Sequence, residues 1–387
     1  MDATSQLREL STGMAFEPDV DYDAGQAGCP RLNVRQQDAV QVSTAQMPNG
    51  RQIKFLKTLL TSACERNCYY CPFRSGRDFR RATLSADEMA GVFMSMHRAG
   101  LVQGLFLSSG VAGGSLRTQD QILATAELLR KKYAFQGYVH LKLMPGAQQA
   151  QVEQAMKLAD RVSLNLEAPN TERLAHLAPR KLFMEELLQP LRWVDQIRRN
   201  RPDHHGWNGR WPSLTTQFVV GAVGESDLEL LQTTAYLQQR LHLARAYFSA
   251  FHPVPDTPFE DRPAEARLRQ NRLYQASFLL RDYGFGLEDL PFEGQGNLPL
   301  RADPKQLWAQ AHLAEQPLEI NCAGRQELLR VPGIGPQAAS AIINARRAGR
   351  LRDVGDLKRL GIRPERALPF ILLDGRRAPH QLRLPDS

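Results

Sequence analysis

Between residue 53 and about residue 290, short apolar runs alternate with amphipathic stretches of helical period. Runs at 53–60, 104–108, 138–143, 162–166, 215–220 and 246–251 predict strands. Stretches at 85–99, 120–133, 147–158, 184–199 and 226–241 predict the helices between them. Six strands separated by helices imply a parallel sheet joined by right-handed crossovers. In such a sheet the chemistry collects in the loops that follow the carboxyl ends of the strands. Residues 1–50 have scattered Gly, Asp and Gln with little periodicity, and an irregular lead-in is expected there. Pro and Gly interrupt the pattern after residue 290. The stretch 291–316 is therefore expected as a linker or edge, and a short helical domain over 317–387.

The 387 residues, 42% of them hydrophobic, can bury one large core and a small one. No run approaches the roughly 18 apolar residues of a membrane span, and the opening residues lack a signal core. A cytoplasmic protein without membrane contact is expected. Charge is uneven: residues 321–387 hold 13 Lys and Arg against six Asp and Glu, which accounts for most of the net +8 of the chain. That asymmetry points to a polyanion-binding tail; an arginine-rich solvated surface is the plainer reading. Of five cysteines, Cys64, Cys68 and Cys71 crowd into eight residues, while Cys29 and Cys322 stand alone. The set is odd in number and badly spaced for a disulfide framework, so the clustered thiols suggest metal.

The cysteine loop follows the first strand directly: Cys64-Glu-Arg-Asn-Cys68-Tyr-Tyr-Cys71-Pro72. Soft thiolates suit zinc or iron–sulfur, and three ligands leave one iron of a four-iron cube open to another molecule. A structural zinc needs a fourth ligand, and no further Cys or His lies within twenty residues of the loop. Spacing and position resemble the radical S-adenosylmethionine (SAM) superfamily. The resemblance implies a [4Fe-4S] cluster and SAM, whose reductive cleavage yields a 5′-deoxyadenosyl radical that abstracts hydrogen from a substrate. It also implies a reducing partner such as flavodoxin or ferredoxin.

Further positions follow from the same resemblance. Tyr70 occupies the aromatic position near the adenine. Ser108, Ser109 and Gly110 end the second strand, where a Gly-rich turn meets the SAM amino group. Asn165 and Glu167 stand where polar side chains contact the ribose or the methionyl amine, and Gly221 opens the region that packs against adenine. Lys142 and Arg180 are candidate partners of the SAM carboxylate. Each has a duller reading: glycines after strands form turns, Glu167 caps a helix, and the two cations are structural or solvated.

In the tail, Ile320 to Arg347 reads as helix, tight turn, helix, with Leu328, Leu329, Ala338, Ala341 and Ile342 at helical spacing. The turn Pro332-Gly333-Ile334-Gly335 leaves amides open at a helix start, which suits phosphate. This segment resembles the helix-hairpin-helix DNA-binding module. The resemblance assigns nucleic-acid contacts to Gly333, Ile334, Gly335, Gln337, Arg346 and Arg347. Residues 351–362 look like a weaker second half. A protein-interaction or dimer module is the alternative for such a helical pair. His204, His205 and His252 have no ligand-spaced partner and read as ordinary polar positions.

From about residue 50 to the end, the chain resembles the radical SAM proteins assigned to DNA modification or repair and linked with uracil-DNA glycosylase. The fold implied is α/β: a partial (βα)6 TIM-type barrel, the radical SAM core, over 51–290, then a small all-α helix-hairpin-helix domain over 317–387. The function implied is radical chemistry on DNA, with a protein of the uracil-DNA-glycosylase family as an expected partner. Two rivals stand beside it: a radical SAM enzyme on RNA or tRNA, and a non-enzymatic iron–sulfur protein that docks a glycosylase on DNA.

Overall fold

A parallel sheet covered by helices buries both faces of its strands, so its strands read as continuous apolar runs. The computed structural model follows this rule in the strand at Ser213–Val220, where seven consecutive residues are buried. The structure describes residues 2–12, 14, 40, 42–46 and 52–377. Cys29 lies outside them. Two compact units divide the chain: Met1–Glu225 with Tyr236–Glu265, and Ser226–Ala235 with Ala266–Ser387.

The element order begins α1 (Ala3–Thr12), β1 (Val42–Gln46), β2 (Gln52–Leu59), α2 (Ala86–Arg98), β3 (Gly104–Ser108) and α3 (Ser115–Glu127). It continues with β4 (Tyr138–Lys142), α4 (Gln149–Leu158), β5 (Arg161–Ser163), α5 (Thr171–Leu177), α6 (Gln189–Asn200), β6 (Ser213–Val220), α7 (Asp227–Leu241) and β7 (Arg245–Ala250). Strands β2 to β7 run parallel in chain order, and β1 adds an antiparallel edge with Val42 opposite Leu56. The sheet curls into a half-barrel.

Three differences from the sequence reading have physical causes. Elements α1 and β1 fall inside the stretch expected to be irregular: strand pairing with β2 orders β1, and burial of Leu7 and Leu10 anchors α1, neither of which local periodicity shows. Strand β5 closes after Ser163, short of the expected residue 166, and the chain reaches Glu167 in a left-handed conformation at φ +67°. Two expected helices contain π-helical turns, Leu128–Lys132 and Phe183–Leu188. In the first, Arg130 is buried and donates to the carbonyls of Phe135, Leu158 and Gly137 at 2.7, 2.9 and 2.8 Å while pairing with Asp160 at 3.1 Å.

The second unit adds α8 (Arg267–Asp282), α9 (Pro304–His312), β8 (Leu318–Glu319), α10 (Arg325–Arg330), α11 (Pro336–Ala345), α12 (Val354–Arg359), β9 (Ile371–Leu373) and β10 (Arg376–Arg377). Its core gathers Ile320, Leu328, Leu329, Ile334, Ile342 and Ile371. The expected all-α tail is corrected: β8, β9 and β10 form a three-stranded sheet whose two- and three-residue strands are too short to show alternation. Helix α9 lies in the stretch expected as a linker. Among the described residues no helix is long and apolar enough to cross a membrane.

Candidate active site

The loop after β2 is built by hydrogen bonds to its neighbours. Leu60 N–H donates to the Ser108 carbonyl at 2.8 Å, Gly110 N–H to the Thr61 carbonyl at 2.8 Å, and Glu65 N–H to the Val111 carbonyl at 2.8 Å. These bonds zip the cysteine loop to the turn after β3. The zip explains Gly110: a Cβ there would overlap the Ala63 carbonyl, so no larger residue fits between the two loops.

Two arginines complete the loop. The Arg81 guanidinium donates to four carbonyls on both flanks of the cysteines: Ser62 at 2.9 Å, Phe73 at 3.1 Å, Arg74 at 2.9 Å and Arg77 at 3.2 Å. From inside the loop, Arg66 reaches Glu186 at 2.6 Å, the Ser115 hydroxyl at 3.1 Å and the Arg180 carbonyl at 2.5 Å. Neither arginine stands out in the sequence. Their only local signal is an arginine-rich flank around the cysteines, and their partners lie up to 120 residues away.

Cys64, Cys68 and Cys71 line one cavity with Tyr70, Ser108, Ser109, Gly110, Lys142, Asn165 and Glu167. Two expected cofactor residues stand elsewhere. Arg180 is exposed and absent from the cavity wall, where its neighbour Lys181 stands with Lys142 and Arg66; the chain turns Arg180 outward and leaves only its carbonyl for Arg66. Gly221, at φ +88°, packs against Glu265, and its amide donates to Glu225. That glycine makes a turn and is not part of the cavity wall.

Lys181 Nζ lies 2.9 Å from Glu167 Oε1, with both side chains nearly buried. The second carboxylate oxygen of Glu167 and the hydroxyl of Ser109 are buried and have no hydrogen-bond partner. Asn165 Nδ2 donates to Gln217 Oε1 at 3.1 Å. Burial pushes the Cys68 thiol up, with Lys181 opposing and Glu167 adding to the rise. Burial also raises Cys71, helped by Cys68, and raises Tyr70 well above the ordinary phenol, helped by the Glu167 charge. For Lys181 burial works the other way, but the neighbouring Cys68 and Glu167 outweigh it and hold the ammonium charged.

The donor set fits an iron–sulfur cluster with a polar ligand. Among the described residues no three His, Cys, Asp or Glu side chains close on a single ion. The thiols instead border a shared space, and three of them leave one corner of a four-iron cube without a protein ligand. Buried oxygens without partners are costly, and Glu167 and Ser109 place theirs at that same cavity.

In the second unit, Gly333 (φ +82°) and Gln337 are exposed, and Gly335 is the N-cap of α11. Ile334 is a core residue, and its amide donates to the Val331 carbonyl at 3.1 Å. Arg346 donates to the carbonyls of Ile320 and Ala323 at 3.0 and 2.6 Å, whereas Arg347 is exposed. Ile334 and Arg346 thus hold the fold. The Ile320-Asn321 pair does so as well: Ile320 is buried, and Asn321 bonds both the amide and the carbonyl of Leu351.

Residues 58–232, from the end of β2 into α7, match the family model described as the radical SAM superfamily. Nothing among curated proteins matches. Among solved structures, the chain is similar to methylornithine synthase (PylB) at 14% identity and a TM-score of 0.47, covering 59% of this chain and 61% of that one. It is similar to the FeFe-hydrogenase maturase HydG from Carboxydothermus hydrogenoformans at 17% identity and a TM-score of 0.44, covering 59% and 51%. A radical SAM methyltransferase from Sphaerobacter thermophilus follows at 15% and 0.44, covering 72% and 91%. The chain spans about three fifths of the first of these structures and half of the second. The cysteine loop, the cavity it borders and the match over residues 58–232 identify this part of the chain as a radical SAM superfamily domain, an enzyme module whose members use a four-iron four-sulfur cluster and SAM.

Proposed function

We propose that this radical SAM enzyme acts on DNA, with the α10–α11 region serving as a helix-hairpin-helix grip on the phosphate backbone. The observation that carries the reading is a set of exposed cations. Arg347, Arg352, Lys358, Arg363 and Arg376 are exposed, and their cationic side chains make no hydrogen bond or ion pair among the described residues. Other tail cations are occupied: Arg330 with Asp289, Arg350 with Asp374, Arg359 with Asp356 and Arg366 with Asp303. Charges that do not stabilise the fold remain available to a polyanion. The first amides of α11 have no carbonyl to serve within the helix, and exposed Gly333 and Gln337 flank them.

In the first unit, Cys64, Cys68 and Cys71 would hold the cluster, and Tyr70 would flank the adenine. Glu167 Oε2 and Ser109 Oγ would accept the polar hydrogens of SAM, and Lys142 and Lys181 would face its carboxylate. With both bound, cluster and SAM supply a hydrogen-abstracting 5′-deoxyadenosyl radical. A target base in a duplex must leave the stack to be reached, so a flipped or already unstacked nucleotide is the expected substrate. A flavodoxin or ferredoxin would deliver the electron, and a protein of the uracil-DNA-glycosylase family is the expected repair partner.

The test is DNA binding by fluorescence anisotropy across a salt series, with 5′-deoxyadenosine measured in the same samples. Affinity that falls as salt rises, and DNA-stimulated SAM cleavage lost in Cys64→Ala protein, support the reading. Salt-independent or absent DNA binding overturns it. Stronger binding and stimulation by RNA would transfer the activity to RNA.

A further inference from the structure

The three cysteine sulfurs of the cavity meet three different hydrogen-bond donors. The Val111 amide donates to Cys64 Sγ at 3.5 Å, and the Phe73 amide serves Cys71. At Cys68 the donor is the side chain of Lys181. Two of these donors are neutral backbone groups fixed by the loop, whereas the third carries a full charge. The thiols stand in for the thiolates that would ligate iron.

Two hydrogen bonds bring Lys181 to Cys68. Tyr69 N–H, next to Cys68 in the chain, donates to the Leu177 carbonyl at the end of α5 at 2.9 Å, and Arg66 donates to the Arg180 carbonyl at 2.5 Å. Both strap the segment after α5 against the cysteine loop. Lys181 and Cys68 line the same cavity, and the lysine side chain is 9% exposed. Its charge therefore acts with little screening by water.

Glu167 opposes that charge from 2.9 Å without cancelling it. At Cys68 the influence of the ammonium exceeds that of the carboxylate, and it extends to Cys71. The other cation of the loop, Arg66, is taken up by Glu186 at 2.6 Å. The reduction potential of an iron–sulfur centre follows net charge, hydrogen bonds to the sulfurs and solvent exposure. Lys181 acts on the first two at once.

We infer that Lys181 sets the reduction potential of the cluster that Cys64, Cys68 and Cys71 would hold, through its hydrogen bond to Cys68 and its buried charge. One electron taken from the reducing partner makes the site one charge more negative, and an ammonium beside it stabilises that state. Glu167 acts in the opposite sense, so Lys181 raises the potential and Glu167 lowers it. This role needs no SAM in the cavity and goes beyond facing the SAM carboxylate. The inference rests on the radical SAM reading of the cavity and is independent of DNA.

The test is electron paramagnetic resonance of the reconstituted full chain without SAM, poised at a series of potentials with dithionite as reductant. Lys181→Met is expected to make the cluster about tenfold harder to reduce, a fall of about 59 mV for a one-electron couple, as loss of one charge-assisted hydrogen bond implies. Lys181→Arg keeps the charge and should restore most of that shift. Glu167→Gln should move the midpoint upward, and it decides the matter if the methionine variant takes up no iron. An unmoved midpoint in iron-loaded Lys181→Met or Glu167→Gln protein overturns the inference and leaves Lys181 as a structural partner of Glu167. The cluster reading fails separately: no four-iron signal from the reduced, unsubstituted chain overturns that reading and the inference with it.

Discussion

Lys181 and Glu167 meet at 2.9 Å beside the cysteine cavity, and Glu167 reaches that position with its backbone at φ +67°. A left-handed non-glycine residue with a buried carboxylate is strained twice, and the ammonium is what makes the position tenable. Lys181→Met leaves the carboxylate without its counter-charge and is expected to cost about 3 kcal/mol. Adding Glu167→Gln should return much of that loss. Urea denaturation of the cluster-free protein, run as a double-mutant cycle, measures the coupling. Additive effects would show that the pair does not act as a unit.

Arg81 gives a second expectation. Arg81→Met strips the hydrogen bonds from four carbonyls around the cysteines and is expected to cost on the order of 2 kcal/mol. The iron-to-protein ratio after reconstitution should drop with it, while far-ultraviolet dichroism stays that of the parent. Arg81→Lys should recover part of the iron. Full iron loading in the methionine variant would contradict the role.

Two glycines of the neighbouring turn should respond differently to one methyl group. Gly110→Ala forces a Cβ into the Ala63 carbonyl and is expected to cost about 3 kcal/mol. Gly114→Ala meets no atom within 4 Å, so only the strain of φ +92° remains, about 1 kcal/mol. Equal melting shifts for the two variants would count against steric closure at Gly110.

In the second unit, Lys305 donates to the Ile334 carbonyl at 2.6 Å, and burial pushes its pKa down to about 7. Between pH 7 and the ordinary lysine range, the unfolded chain binds a proton that the folded chain does not. Stability from this group therefore rises with pH across that window and is lowest below it. Lys305→Met should flatten that slope, as read from denaturation midpoints at pH 7 and pH 9.5. An unchanged slope would show that Lys305 stays charged in the folded unit.

Tail cations divide by occupancy. Substituting Gln for Arg347, Arg352 or Lys358 should each lower the salt slope of DNA binding by about 0.9 without moving the melting point. Arg346→Gln should lower the melting point instead, since its guanidinium supports the carbonyls of Ile320 and Ala323. Anisotropy and melting curves on the same preparations separate the two groups.

The strands were readable because burial on both faces writes a continuous apolar run, and Gly104–Ser108 appears in the structure with the bounds read from its sequence. Strands of two or three residues, as in β8 and β10, leave no such trace. At the candidate site, spacing alone located the thiols. Choosing between Arg180 and Lys181 required knowing which way the chain turns after α5. Arg66 and Arg81 stayed hidden because their partners are backbone carbonyls and distant side chains, and those contacts do not show as local periodicity.

The four-carbonyl clasp of Arg81 has a consequence for how the cofactor comes and goes. A loop shaped by protein hydrogen bonds is expected to hold the form of a mould before iron arrives, unlike small metal-nucleated domains whose folding free energy is the metal's. Oxidative loss of iron then leaves the mould standing. Repair in the cell becomes refilling rather than refolding.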